Sequence, residues 1–254
     1  MKINKLFDYS DFSNKEFTDT QEKIYEDCCR SRKSWEFTIL YYGLEKSGYL
    51  TKDKTALGTG CLHETLIYLF CDKLKAVTAT DVAYYPITDA RIRPWGGEKY
   101  TIEEVINGPI PYDKSKLTVI PMDMMNLEFP ADSFDIIWCS SSVEHCGGVD
   151  AVLKCFTEAE RVLKPNGIYA ITTEWNLSLT PSCARFANVQ TVDNDLLKLI
   201  ETTAPKLKLV EPISFEQSDH PKNKEREYML GKTNRFYGDL CDYTSLSLFY
   251  KKEA

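Results

Sequence analysis

The most regular stretch of the chain runs from Val149 to Leu163. There Val149, Val152, Leu153, Phe156, Ala159 and Leu163 recur at the spacing of one helix face. Lys164-Pro165-Asn166-Gly167 follows, a helix stop and a turn. On either side lie apolar runs too short for helices: Leu117 to Pro121, Phe134 to Cys139 and Ile168 to Thr172, which read as buried strands. The same alternation occurs earlier. Thr55-Ala56-Leu57 is a strand, Leu66, Ile67, Phe70 and Leu74 stripe a helix, and Lys75 to Thr80 is a second strand ending on Asp81. The intervening helix carries the chain back across the sheet, so these two strands are parallel.

Weaker signals complete the order. Phe37, Leu40, Tyr41 and Leu44 place a helix from Lys33 to a stop at Gly48, and a short helical piece is expected over Ile102 to Ile106. A helix over Asn194 to Thr202 and strands over Leu207 to Phe215 and Thr244 to Lys251 close the chain. Residues 1–32 are polar and weakly patterned, and long irregular stretches occupy 83–116 and 216–242. Such connections inside a compact domain commonly serve function. Alternating strands and helices imply a parallel sheet covered on both faces, with ligands bound at the carboxyl ends of its strands. The expected organisation is one domain, residues 51–254, preceded by a helical extension or lid at 1–50.

Composition narrows the function. The 254 residues carry a formal charge of -7, which argues against a basic footprint for nucleic acid or an anionic membrane. No apolar run reaches the length of a membrane span and the N-terminus turns polar at once, so a cytoplasmic protein is expected. Nine cysteines with no C-x-x-C pair read as reduced thiols; Cys61, Cys71, Cys139 and Cys155 sit in apolar stretches, and Cys28-Cys29 is the one adjacent pair. No metal site follows from them, and nothing in the sequence specifies an oligomeric state.

Gly58-Thr59-Gly60 stands where the first strand turns into a helix. Glycines there let backbone approach a ligand, and the helix N-terminus favours an anionic group. A tight turn alone would account for them equally. Asp81, 21 positions after Gly60, ends the second strand, where an acid accepts from ribose hydroxyls or merely caps a turn.

Two later stretches carry a resemblance. Val119-Ile120-Pro121-Met122-Asp123-Met124-Met125-Asn126-Leu127-Glu128-Phe129-Pro130, followed by Asp132-Ser133-Phe134-Asp135-Ile136-Ile137, is similar to the third-to-fourth strand region of class I methyltransferases. Arg161-Val162-Leu163-Lys164-Pro165-Asn166-Gly167 resembles that family's segment before strand five, and the likeness extends from Thr55 to the C-terminus. It implies an α/β, Rossmann-like doubly wound fold, with a mostly parallel seven-stranded sheet and an antiparallel C-terminal strand. It also implies S-adenosylmethionine as cofactor. Carried over, Gly58, Thr59 and Gly60 would lie beneath its methionine and ribose, Asp81 would hold the ribose, Asp123 and Met124 would flank the adenine, and Ser140 would sit near the sulfonium. The family's acid two residues before the loop is replaced by Ala56, and its third glycine by Leu62. Glu64 either supplies the missing carboxylate or is an acid favoured by the helix dipole.

For catalysis, the protein must align a nucleophile behind the methyl carbon and remove its proton. Glu144-His145 follows the fourth strand at the appropriate end, and His145 is the candidate general base, with a structural role as its alternative. Glu174, beyond strand five, and Arg91 and Trp95, in the long connection, are candidates for holding a small-molecule acceptor. Trp35-Glu36 belongs either to a lid or to a packing helix. Ser140-Ser141-Ser142 stands where many nitrogen methylators of the class carry an N/D-P-P-Y-type motif, which favours oxygen as the nucleophile. Two other classes compete. One is a non-catalytic methyltransferase-like binding or scaffold protein, suggested by Ala56 and Leu62. The other is a nicotinamide-dependent oxidoreductase, disfavoured by the incomplete glycine pattern.

Overall fold

The computed structural model describes residues 1–25, 30–86, 100–177, 190–223 and 243–254. Among these, eight strands form one mixed sheet: β1 (Lys5–Leu6), β2 (Thr55–Thr59), β3 (Ala76–Asp81), β4 (Leu117–Pro121), β5 (Phe134–Ser140), β6 (Leu163–Asn176), β7 (Leu207–Leu209) and β8 (Tyr243–Lys252). The helices are α1 (Lys15–Ile24), α2 (Arg32–Lys46), α3 (Leu66–Lys73), α4 (Ile102–Asn107), α5 (Val149–Val162) and α6 (Asn194–Thr203). Spatial order is β4-β3-β2-β5-β6-β8, the first five parallel and β8 antiparallel to β6. This is the Rossmann-like arrangement the strand pattern implied, with one addition. The outer edge of β8 is shared, β7 pairing near Lys252 and β1 near Leu246.

Alternation along the strands separates two cores. Ala56, Ile136, Trp138, Ile168, Ala170 and Phe249 face α2 and α3, while Leu57, Ile137, Cys139, Tyr169, Ile171 and Leu248 face α5 and α6. Helix α2 starts in a capping box between Ser31 and Ser34 and stops before Gly48, whose φ is +74°. It lies close on the sheet because Gly43 leaves room for the Phe249 ring, which would collide with any Cβ there. Cys61, Cys71, Cys139, Cys146 and Cys155 are buried free thiols. Among the described residues no helix is long and apolar enough to cross a membrane.

Three sequence readings change. The weakly patterned N-terminus holds β1 and α1, whose apolar anchors Phe7, Phe12, Phe17 and Ile24 are spaced too irregularly to show a period. The strand expected to reach Phe215 ends at Leu209. Pro212 lacks a donor, and the next part of the β8 edge is already taken by β1, to which Ser214 hydrogen-bonds through Asn4 and Leu6. Lys164 to Gly167 does follow the helix stop, but as an irregularity inside β6, with Asn166 at φ +63°. Residues 87–99 of the long connection, 224–242 of the charged insertion, and Cys28-Cys29 lie outside the described residues.

Candidate active site

The carboxyl ends of β2, β3, β5 and β6 converge under the first turns of α2. The β2–α3 loop supplies the first wall. Gly60 has φ +62°, and a Cβ there would meet Met124 Cε at 2.5 Å and Ser142 Cβ at 2.7 Å. Ser142 Oγ also donates to the Gly60 carbonyl at 2.6 Å. Gly58 is needed for a different reason, since the Trp138 ring fills the space its side chain would take. The Thr59 hydroxyl turns into the sheet, donating to the Trp138 carbonyl at 3.3 Å.

Leu62 sits at φ +39°, so the backbone keeps the left-handed bend of the missing third glycine at a cost of about 1–2 kcal/mol. That bend is fastened by Asp81. Its two carboxylate oxygens accept from the Leu62 N–H at 3.0 Å and the Ala83 N–H at 2.8 Å. An ionised carboxylate has about four acceptor positions, so two remain for a ligand. Burial pushes the Asp81 carboxyl up against these bonds.

The acid missing at Ala56 has a counterpart inside the site. Glu64 precedes the N-cap of α3, turns inward, and accepts from the Trp138 indole nitrogen. Burial, the largest influence, drives its pKa up to about 8; the indole and Lys33 oppose the rise, and Asp81 and Glu36 add to it. Asp123 caps its own turn, accepting from the Met125 N–H at 2.9 Å, while the Met124 side chain lies against Gly60.

The second wall is a buried charge cluster. On the α2 face the strands change from apolar to polar toward the site: Trp138 gives way to Ser140, Ala170 to Thr172 and Glu174, and Phe249 to Ser247 and Ser245. Arg32 Nη1 meets Glu36 at 2.8 Å, Glu174 at 2.7 Å and Ser245 Oγ at 2.8 Å. Glu36, with no exposed surface, also pairs with Lys33 Nζ at 3.0 Å and accepts from Ser245 at 2.5 Å. Burial works against its ionisation, but the two cations and the hydroxyl partners hold its pKa down, at about 2.

Glu144 and Glu174 are in the opposite condition. Glu144 is fully buried; Oε2 receives the Thr173 hydroxyl at 3.3 Å, and among the described residues Oε1 has no hydrogen-bond partner. Glu174 gives Oε1 to Arg32, and its Oε2 likewise has none. Burial, aided at Glu144 by the Glu174 charge, raises Glu144 well above the usual carboxylate range. Glu174 rises to about 7, mainly by burial, with Arg32 opposing. Ser140 Oγ, on the same strand face as Glu174, is buried and unpartnered as well. Ser141, next to it, has φ +47°.

His145 stands beside Glu144 in a short 3-10 turn, Val143–His145. Burial, with Lys33 and Arg32 adding, lowers its pKa to about 4 against a raising effect of Glu36, so it is not poised near neutral pH. Of the acceptor candidates, Glu174 is in the cluster, whereas Arg91 and Trp95 lie outside the described residues. Trp35 packs: its ring meets Phe7 edge-on and its indole donates to Asp11 at 2.8 Å. Arg32 and Lys33 escaped the sequence reading. The available signal was Glu36, a charge placed one turn before Leu40 on the apolar stripe.

Residues 55–171 match the family described as a Methyltransferase domain. That segment is thus a methyltransferase domain, and the fold around it is that of the class I S-adenosylmethionine-dependent methyltransferases. Its cofactor is S-adenosylmethionine, and the residues present suit that group: an open loop at Gly60, free acceptor capacity on Asp81, and an unpartnered hydroxyl at Ser140. No curated protein matches the chain. Among solved structures it resembles a candidate sarcosine dimethylglycine methyltransferase from Galdieria sulphuraria, at 18% identity, 84% of each chain and a TM-score of 0.56. The N-methyltransferase NodS from Bradyrhizobium japonicum shares 13% identity over 86% of this chain and 94% of its own, with a TM-score of 0.53. The cyclase SpnF shares 14% over 96% and 94%, with a TM-score of 0.56. At these identities the methyltransferase and those structures share a fold.

Proposed function

We propose that the enzyme methylates a small molecule held between Glu144, Glu174 and the first turns of α2. The observation that carries this reading is the pair of buried carboxylate oxygens without hydrogen-bond partners among the described residues, Glu144 Oε1 and Glu174 Oε2, at the ends of the strands. A buried acceptor atom left unmade costs about 1–3 kcal/mol, so a ligand that brings donors recovers that energy on binding. Asp81 would hold the ribose, Gly60 and Met124 would flank the cofactor, and Glu64 would face its amino end in place of Ala56. Bound there, the cofactor supplies an activated methyl group on a sulfonium.

This chain's residues would do the rest. Helix α2 acts as the lid, contributing Arg32 and Lys33. The acceptor heteroatom, oxygen or nitrogen, sheds its proton to a carboxylate. Glu174, with its pKa near 7, is better matched to that task at neutral pH than His145. His145 would then line the site as a neutral imidazole.

Calorimetric titration with S-adenosylmethionine tests the cofactor half, with Asp81→Ala beside the wild type. Micromolar binding that the variant loses supports the assignment; equal binding by both proteins removes Asp81 from it. A screen for transfer of isotopically labelled methyl to small molecules tests the acceptor half. Labelling confined to protein or nucleic acid would overturn the small-molecule reading.

A further inference from the structure

The charges around the cluster do not balance. Among the described residues, Glu36, Glu64, Glu144 and Glu174, with Asp81 beside Glu64, are the acids, and Arg32 and Lys33 are the cations that act on them. Both cations are engaged by Glu36, and Arg32 also by Glu174. Among the described residues no donor hydrogen-bonds to Glu144 Oε1, to Glu174 Oε2 or to the buried Ser140 hydroxyl on the Glu174 face. Burial and acidic neighbours hold Glu64 and Glu144 above the usual carboxylate range in the ligand-free protein, the mark of acids short of a cation; bound S-adenosylmethionine brings one net positive charge, and a second cation would let a further carboxylate ionise. A hydroxyl acceptor offers one donor and no charge. An ammonium offers three donors and the missing charge.

We infer that the methyl acceptor is an amine, bound as its ammonium between Glu144 and Glu174, rather than the oxygen nucleophile suggested by Ser140-Ser141-Ser142. The inference rests on the methyl-transfer reading and names its substrate class. The bound R–NH3+ passes one proton to a carboxylate oxygen, leaving a neutral nitrogen with a lone pair. That pair forms the N–C bond as the C–S pair returns to sulfur, giving R–NH2+–CH3 and a neutral thioether. Positive charge thus moves from sulfur to nitrogen, toward the remaining ionised carboxylate, which stabilises the charge as it develops. With oxygen the charge would leave as a proton and the second carboxylate would have no task.

The experiment uses the full chain saturated with S-adenosylhomocysteine and the smallest amine, methylammonium, as probe. At constant ionic strength and pH 8, 0.1 M methylammonium is compared with equal potassium and equal methanol. For a site with a dissociation constant of about 1 mM the expected gain in melting temperature is about 5–10 °C, with neither control reproducing it. Glu144→Gln and Glu174→Gln, each melting cooperatively, should lose the gain. A labelled-methyl screen over matched amines and alcohols should place label on nitrogen. Equal responses to methylammonium and potassium, unchanged responses in both variants, or label on oxygen overturn the amine proposal while leaving methyl transfer intact. Failure to bind S-adenosylhomocysteine would remove the methyl-transfer reading and the amine with it.

Discussion

Two groups of buried carboxylates stand at the ends of the parallel strands, and they are built differently. Asp81 has both oxygens anchored by backbone N–H groups, from Leu62 and Ala83, so its orientation is set before any ligand arrives. Among the described residues Glu144 and Glu174 each leave one oxygen without a donor, and burial raises Glu144 well above the usual carboxylate range and Glu174 to about 7. On the proposed assignment the cofactor wall is a finished cradle, whereas the acceptor wall is completed by what binds there. Such division suits an enzyme with one fixed cofactor and an acceptor that must surrender a proton.

The comparison breaks most severely at Asp81. Asp81→Ala removes the proposed ribose acceptor and frees the Leu62 bend, and calorimetry should show cofactor affinity falling about 100-fold or more. On the other wall, Glu174→Gln should leave that affinity within a few-fold while turnover falls about 100-fold or more, as loss of a proton acceptor does. A matching fall in cofactor affinity would show that the walls are not separate.

Acidity sharpens the contrast further. Glu64 and Glu174 have folded pKa values raised to about 8 and about 7, so the ligand-free fold binds their protons more tightly than the unfolded chain. Their stabilising contribution is present at low pH and is lost as pH rises through those values. His145, lowered to about 4, contributes with the opposite sign, its stabilisation growing until pH has passed its unfolded value of 6.5, so the interval from about pH 7.5 to 8.5 reports mainly the raised carboxylates. Melting temperature should fall across that interval in the ligand-free protein, and Glu64→Gln should flatten the fall. The smallest effect is expected at the loop. Leu62→Gly relieves a positive φ, worth about 1 kcal/mol after the entropy of the added glycine is set against it. Chemical denaturation should show a slight gain with cofactor affinity retained.

The same contrast explains what the chain disclosed unaided. The cradle is local: Gly58 to Glu64 and Asp81 lie within one βαβ unit, whose apolar periods and turn residues are visible in a short window. The acceptor wall is assembled from distant parts. Glu36 and Glu174 meet through Arg32, and Ser245 joins them from β8, a pairing that no window of twenty residues contains. Glu144 and Glu174 were legible as strand-end acids, but not the cations opposite them. The Trp138 indole that holds Glu64 looked like one more apolar strand residue. At the N-terminus, β1 depends on the edge of a strand some 240 positions away, so local periodicity had nothing to report.

That stitching of β1 and α2 onto β8 has a temporal side. Glu36 reaches its final surroundings only when Ser245 is beside it, and Gly43 only when the Phe249 ring has arrived. During synthesis the cofactor cradle can form once Met124, Trp138 and Ser142 have joined residues 55–81, while β8 is still unmade, but the acceptor wall must wait for β8. A nascent chain would thus acquire its nucleotide pocket well before its chemistry, and the final strand sets the moment at which the enzyme becomes competent.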